Sequence, residues 1–133
     1  MSMCLVFLIQ KKFDNENDNS SVIYFNYLNN KFLFMGDAGI IREKAILDKY
    51  KLDNIAFLKI GHHGSNTSSG KDFIDKINPK YSIISVGKNN RYGHPNKEVL
   101  NNLWNSKIYR TDQDGSIMFK IKKNKLKIET CGL

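Results

Sequence analysis

Three histidines and one aspartate are the residues of this sequence best suited to chemistry. Asp37 follows an apolar run that ends in glycine, His62 and His63 stand side by side between two glycines, and His94 precedes a proline. Imidazole nitrogen and carboxylate oxygen are ligands that zinc and other first-row divalent cations accept. Such a cation lowers the pKa of a bound water and so provides a hydroxide nucleophile, and a carboxylate can bridge two ions. These residue types predict a metal-dependent hydrolytic site.

The two adjacent histidines are expected to have different roles. Neighbouring side chains on extended backbone point to opposite sides, so one histidine should be a ligand while the other binds substrate or supports the first. We favour His63 as the metal ligand and assign His62 to catalysis. In the alternative interpretation both rings only form hydrogen bonds at a turn. Asp37, predicted as a metal ligand, has an alternative role as the cap of the helix that follows it.

Hydroxyl groups and cations accompany the histidines. Ser65 opens a run of serine, asparagine and threonine before a predicted helix, an arrangement suited to cradling phosphate, although ordinary polar loops have the same composition. Lys88 and Arg91 add positive charge to the loop that carries His94, and His94 is placed to donate a proton as a general acid. We predict Ser65, Lys88 and Arg91 as substrate-binding residues and His94 as a catalytic residue.

These residues need strand ends to bring them together, and the sequence predicts such a frame. Strands are predicted over residues 3–10, 21–28, 31–35, 55–60, 81–86 and 107–110, because these runs are apolar or alternating. A closing hairpin turns at residues 123–124. In α/β sheets, sites form at the carboxyl ends of strands. The expected fold is α/β, a mixed sheet flanked by helices with a terminal β-hairpin.

Three helices are predicted between the strands. The first covers residues 40–50, and its apolar side should contain the stripe of Ile41, Ala45 and Asp48, broadened by its other apolar residues. The second should begin at a capping box in residues 69–72. The third is predicted from the i, i+3, i+4 spacing of Leu100, Leu103 and Trp104.

Composition limits the class of protein. The chain has 133 residues, of which 41% are hydrophobic, enough for the core of one globular domain. Its net charge is +8, and residues 67–133 hold thirteen basic against six acidic residues. This excess favours nucleic acid as a partner, while a solvated lysine-rich surface is the alternative. The two distant cysteines suggest a reducing compartment or buried thiols, and residues 3–9 are too short an apolar run for a membrane span, so the chain as written is expected to be cytoplasmic.

Four sequence runs carry a family resemblance: FLFMGDA at 32–38, FLKIGHHGSNTSSGKDFI at 57–74, YSIISVGKNNRYGHPNKEVL at 81–100 and YRTDQDGSIMF at 109–119. Together, over about residues 17–120, they resemble the carboxyl-terminal half of a metallo-β-lactamase-superfamily domain of the ComEC type, which belongs to DNA-internalisation competence proteins. The resemblance implies half of an αββα sandwich. It matches Asp37 to the bridging metal ligand and the His62-His63 pair to the second-metal histidine motif.

The resemblance also implies an activity, a cofactor and partners. The implied reaction is metal-dependent phosphodiester hydrolysis by a nuclease in DNA uptake, with zinc or manganese as the cofactor. In the family the HxHxDH-like or HxDxDH-like run of the first half supplies most ligands, and this sequence contains only three histidines. Residues 1–133 are therefore expected to be a single partial domain, inactive alone, that pairs with a complementing N-terminal half-domain or forms a homodimer. The alternative is a non-catalytic binding or assembly module that uses a basic surface or an exposed sheet edge. A full-length ComEC-like parent would be a membrane protein.

Overall fold

A six-stranded mixed sheet is the frame of the molecule. The computed structural model describes residues 3–7, as backbone, and residues 12–132. In spatial order the strands are β1 (Met3–Phe7), β2 (Val22–Tyr27), β3 (Asn30–Phe34), β4 (Phe57–Lys59), β5 (Tyr81–Ile84) and β6 (Lys107–Arg110). The pairs β1–β2 and β2–β3 are antiparallel, and β3 to β6 are parallel. The predicted mixed sheet is confirmed. The predicted first strand extended to residue 10, and residues 8–10 lie outside the described part of the chain.

Three helices connect the parallel strands and cover one face of the sheet. They are α1 (Ile40–Lys49), α2 (Lys71–Ile77) and α3 (Lys97–Asn102). After β6 the single turn α4 (Thr111–Asp114) leads to a hairpin of β7 (Ser116–Lys122) and β8 (Lys125–Cys131). The core lies between the helices and the sheet, where Leu33, Leu58 and Ile84 of three strands contact Ile46 and Ile77 of two helices. The predicted α/β class, with flanking helices and a terminal hairpin, is confirmed.

The opposite face of the sheet carries a row of aromatic rings. Phe25, Phe32, Phe57 and Tyr81 are register partners on four successive strands, so their side chains are cross-strand neighbours. Successive ring centroids lie 4.6, 4.6 and 5.3 Å apart. Phe119 of the terminal hairpin packs on Phe57 with a centroid separation of 4.5 Å. The hairpin therefore covers the middle of this aromatic face.

The buried side of α1 differs from the prediction. Its buried residues are Arg42, Glu43 and Ile46, whereas Ile41 of the predicted stripe is 61% exposed. Two charged residues are buried here. Glu43 accepts hydrogen bonds from a neighbouring loop. Burial lowers the pKa of Arg42, and attraction from Tyr50 and from the carboxylate of Asp18 opposes that effect. Periodicity of apolar residues alone was misleading for this helix.

Two other helix predictions are wrong in detail. The helix α2 has Gly70 as its N-cap with no side-chain cap, so the predicted capping box does not form. The helix α3 ends at Asn102, so Leu103 is buried while Trp104 lies beyond the helix with 77% of its surface exposed.

Cys131 is an exposed thiol, contrary to the buried alternative. In residues 3–7 and 12–132, no helix combines the length and apolar composition that crossing a bilayer requires.

Candidate active site at the strand ends

The candidate site lies where three neighbouring parallel strands end. The turn Gly61–Gly64, which follows β4, is hydrogen-bonded to the loops after both adjacent strands. The His62 N–H donates to the carbonyl of Gly36 after β3 at 2.9 Å, and His63 Nδ1 lies 2.7 Å from the carbonyl of Ser85 after β5. The predicted gathering of Asp37, His62 and His63 at one edge of the sheet follows from this topology.

Both histidines have left-handed backbone, which the sequence argument did not anticipate. The φ angles are 45° for His62 and 55° for His63. Side chains on this turn do not alternate as on a strand, so the extended-backbone argument for opposite orientations is wrong. The two ring centroids are 6.3 Å apart. Non-glycine residues in this conformation cost about 1–3 kcal/mol each and persist where surrounding contacts hold them, often at functional sites.

The hydrogen bond of His63 fixes which ring nitrogen carries the proton. A carbonyl oxygen only accepts, so Nδ1 donates to Ser85 and, in the neutral ring, Nε2 keeps its lone pair. Metal-ligating histidines commonly donate their other ring N–H to a carbonyl or carboxylate in this way. His63 is exposed, so its Nε2 is accessible to a cation. The assignment of His63 as a metal ligand stays a prediction, and this geometry is compatible with it.

His94 approaches the histidine pair from a separate loop. Its ring centroid lies 6.2 Å from that of His62, and its Nδ1 is buried without a hydrogen-bond partner among the described residues. Burial lowers the pKa of His94, and the nearby His62 and His63 lower it further. The neutral imidazole is therefore favoured near pH 7. A neutral ring accepts a proton more readily than it gives one, so this environment suits a base better than the predicted general acid.

Hydrogen bonds hold the His94 loop together and dock it on the histidine turn. The His94 N–H donates to Asn90 Oδ1 at 2.9 Å, and Asn90 Nδ2 donates to the His94 carbonyl at 2.7 Å. The Asn96 N–H then donates to the Gly64 carbonyl at 2.8 Å. Gly64 has φ +81°, and a Cβ there would lie 2.6 Å from Cβ of Pro95. Glycine is needed at this position because the backbone of Gly64 packs directly against the ring of Pro95.

The predicted cations of this loop lie at its surface. The Arg91 guanidinium is 5.3 Å from the centroid of the Tyr92 ring, and Tyr92 stacks on His94 with centroids 5.8 Å apart. Arg91, Tyr92 and His94 therefore form a column that leads from solvent to the histidines. Lys88 is exposed in the same loop. The Arg91 guanidinium also donates to the Tyr92 hydroxyl at 3.2 Å. Both cations are exposed to solvent, and their role in substrate binding stays a prediction.

Ser65 is buried and supports the turn. Its N–H donates to the His62 carbonyl at 2.9 Å, and its hydroxyl lies 3.0 Å from the hydroxyl of Thr67. Thr67 Oγ1 in turn lies 3.4 Å from Nδ1 of His62. Ser65 therefore has a structural role beneath His62. Its predicted contact with substrate stays a prediction.

Sequence reasoning missed Glu43, which holds the loop after the histidines. Its Oε1 accepts from the Ser69 N–H at 2.5 Å and its Oε2 from the Gly70 N–H at 3.0 Å. The Ser69 N–H belonged to the predicted phosphate cradle, and a carboxylate of the protein already satisfies it. Glu43 is 1% exposed, and burial raises its pKa to about 7. No local pattern in the sequence signals this contact, because the partners of Glu43 lie 26 and 27 residues further along the chain.

Asp37 is exposed and does not cap the following helix. The N-cap of α1 is Gly39, with no side-chain cap, and the Gly39 N–H donates to Asp18 Oδ1 at 2.7 Å. The backbone N–H of Asp37 donates to the hydroxyl of Ser20 at 3.3 Å. The helix-cap alternative for Asp37 is therefore wrong. Its carboxylate remains available at the edge of the sheet.

Lys59 is a second residue that sequence reasoning missed. It ends β4 directly before the histidine turn, and its Nζ donates to the carbonyl of Ile60 at 3.0 Å. Burial lowers the pKa of Lys59, and attraction from the Asp37 carboxylate opposes that effect. The signal was a lysine at the end of an otherwise apolar strand. Lys59 thus adds a half-buried positive charge close to Asp37.

The described donors do not by themselves fit a metal centre. Within residues 3–7 and 12–132, no group of three or more His, Cys, Asp or Glu side chains is placed to hold a metal ion. Catalytic zinc sites ordinarily use three protein ligands and structural sites four. His63 and Asp37 offer suitable atoms, but this number of donors is too small for a tight site.

Comparison with known proteins gives a consistent family. Residues 13–88, which include Asp37, His62 and His63, match the family model described as Metallo-beta-lactamase superfamily. The chain is 36% identical over 110 residues to "ComE operon protein 3" of Bacillus subtilis (strain 168), covering 81% of this chain and 14% of that protein. It is 31% identical over 123 residues to "Competence protein ComA" of Neisseria gonorrhoeae, covering 90% and 18%. It is 29% identical over 116 residues to "Recombination protein 2" of Haemophilus influenzae, covering 86% and 14%. The chain therefore spans less than a fifth of the length of these relatives.

Proposed function

The chain belongs to the metallo-beta-lactamase superfamily and is of the ComEC type, and from this premise we propose that it is part of a metal-dependent phosphodiesterase or nuclease that acts in DNA uptake. Asp37 and His63 would be its contribution to a binuclear zinc or manganese centre. The other ligands would come from outside the described residues, in a complementing half-domain or a second copy. Such a centre supplies a hydroxide nucleophile. Residues 1–133 would then be one partial domain, inactive alone.

One observation carries the proposal: the hydrogen bond from His63 Nδ1 to the carbonyl of Ser85. It fixes the tautomer and the ring of His63 at the ends of β4 and β5, with Nε2 available. A histidine that only stabilised a turn would not need an accessible second nitrogen beside two further imidazoles. The position of Asp37 after the neighbouring strand β3 adds the carboxylate that such a site requires.

The other residues of the site have roles that follow from their surroundings. Lys88 and Arg91 are exposed cations that would attract a phosphodiester to the loop. His94, kept neutral by burial, would accept a proton next to the bound phosphate. The His62 ring lies 6.3 Å from that of His63 and 6.2 Å from that of His94, so it would contact the phosphate oxygens.

The proposal is tested by hydrolysis of single-stranded DNA in the presence of manganese or zinc. We expect no hydrolysis by the chain alone and hydrolysis when an HxHxDH-bearing half of a ComEC-type domain is added. In the mixture, Asp37→Ala and His63→Ala should abolish activity. Asp48→Ala is the matched control, because Asp48 is an exposed aspartate in the last turn of α1, outside the site, and it should retain activity. Equal activity in all variants, or none in the mixture, would contradict the proposal.

A second candidate is a non-catalytic assembly module, and the aromatic face of the sheet favours it. Beyond the ring row, Ile23 and Phe34 are register partners near the site and are 37% and 41% exposed. A small cavity of about 140 Å³ lies beside them, lined by phenylalanines, Ile83 and Lys59. Exposed apolar surface of this kind favours association with the surface of another protein chain. Sedimentation at several concentrations should show association that Phe34→Lys weakens, and a strict monomer would contradict this candidate.

A further inference from the structure

A groove on the helical side of the molecule, away from the histidines, contains the single tryptophan of the chain. It lies between the carboxyl ends of α2 and α3, has a volume of about 290 Å³, and its walls include Lys71, Ile74, Asn78, Asn102, Trp104 and Asn105. This volume is at the small end of the range of about 300–1,000 Å³ that is usual for ligand pockets. The groove is therefore suited to one ring system rather than to a large ligand.

Trp104 presents its ring to solvent at this groove. Leu103 fills the core directly before it, and Trp104 is 77% exposed. A large aromatic ring in this position contributes little to packing. An exposed aromatic face is a platform on which nucleobases of any sequence can stack.

Two amides beside the ring supply a matched donor and acceptor. Asn105 Nδ2 donates to Asn78 Oδ1 at 3.1 Å. Two groups then have no hydrogen bond to the described part of the protein. They are the NH₂ group of Asn78, a donor, and the side-chain oxygen of Asn105, an acceptor. A donor and an acceptor side by side complement the edge of a nucleobase, which carries the same two kinds of group.

The charge of the whole chain favours an anionic ligand. The net charge is +8, which attracts the phosphates of a nucleic acid through release of counterions. The groove itself is close to neutral, because Lys71 at its rim pairs with Asp75 on its wall, so its own contribution is the aromatic ring and the two amides.

We propose that this groove binds one base of a single-stranded nucleic acid, stacked on Trp104 with its edge against Asn78 and Asn105. The choice of DNA as the nucleic acid rests on the proposed function, whereas the stacking platform does not. The groove would hold the strand at a distance from the histidines, so binding here is independent of hydrolysis.

Fluorescence tests the proposal directly because Trp104 is the only tryptophan. Titration of the 133-residue chain with a short oligodeoxythymidylate should quench the emission, saturate, and weaken as salt is added. An abasic oligonucleotide of the same length and charge is the control ligand. It has no bases to stack on Trp104, so it should bind more weakly and quench less. No quenching, or equal binding of the abasic oligonucleotide, would overturn the proposal. Quenching by anionic phospholipid vesicles but not by the oligonucleotide would overturn it as well.

Variants separate stacking from charge and from catalysis. With a fluorescein-labelled oligodeoxythymidylate followed by anisotropy, Trp104→Ala should weaken binding about 5- to 150-fold, the range expected for loss of one stacked base. Trp104→Phe should restore most of the affinity. Met118→Ala, an exposed apolar residue on the terminal hairpin, should have no effect, and an unchanged affinity of Trp104→Ala would overturn the proposal. Asp37→Ala should bind like the unaltered chain, so a failure of hydrolysis and a failure of stacking are distinguishable.

Discussion

The buried carboxyl of Glu43 should link the stability of the fold to pH. Its pKa is raised from an ordinary value of 4.5 to about 7, chiefly because burial disfavours the charged form. Between about pH 4.5 and pH 7 the folded chain keeps this proton while the unfolded chain releases it. The free energy of unfolding therefore contains a favourable contribution from Glu43 that is complete below about pH 4.5 and is lost as the pH rises through 7.

The magnitude follows from the difference between the two pKa values. At about 1.4 kcal/mol for each pH unit, the interval from 4.5 to about 7 corresponds to about 3 kcal/mol. The neighbouring carboxylate of Asp18 acts in the same direction, whereas the hydrogen bonds from Ser69 and Gly70 act against it. The lowered pKa of His94 has the opposite effect on the free energy of unfolding. As the pH falls, the unfolded chain takes up this proton before the folded chain does, so the fold becomes less stable.

Comparison with Glu43→Gln isolates the contribution of this one group. Urea denaturation of both proteins at several values between about pH 4.5 and pH 8 gives the difference in their free energies of unfolding. The advantage of the unaltered chain over Glu43→Gln should shrink by about 3 kcal/mol across this interval, while effects of the histidines cancel. A difference that is independent of pH, or that grows as the pH rises, would refute the reasoning.

Two further predictions concern packing around the site. Gly64→Ala should lower the free energy of unfolding by more than about 1 kcal/mol, because a Cβ at this positive φ meets the proline ring of the His94 loop. Gly87→Ala, where nothing lies within 4 Å, is the control, and equal effects of the two in urea denaturation would contradict the account. Leu58→Ala should cost about 2–5 kcal/mol, since Leu58 is 1% exposed between sheet and helices. If thermal unfolding showed that Leu58→Ala destabilises the fold no more than alanine substitution of an exposed residue does, the assignment of Leu58 to the core would be wrong.

The frame of the fold could be predicted from the sequence because local signals agreed with the tertiary structure. Alternating and apolar runs gave the strands, and the order of strands and helices gave the parallel part of the sheet. Trp104 shows the limit of this reasoning. Its spacing from Leu100 predicts a buried face only if the helix continues, and α3 ends at Asn102 before that face is complete.

The candidate site could be predicted in position but not in geometry. The rule that sites form at the carboxyl ends of strands placed His62, His63 and Asp37 together. The left-handed backbone of the histidines could not be foreseen, because it depends on hydrogen bonds to loops distant in sequence. Glu43 was missed for the same reason: its partners are the backbone N–H groups of residues 69 and 70, and no local pattern indicates such a contact.

The central claim is that the described residues provide one part of a metal centre and depend on other donors for the rest. The most direct test is the zinc and manganese content of the purified chain after dialysis, measured by elemental analysis. The account predicts no stoichiometric metal on the chain alone, and metal bound in stoichiometric amount once an HxHxDH-bearing half is added, with His63→Ala reducing it. A full pair of tightly bound ions on the chain alone would contradict the account.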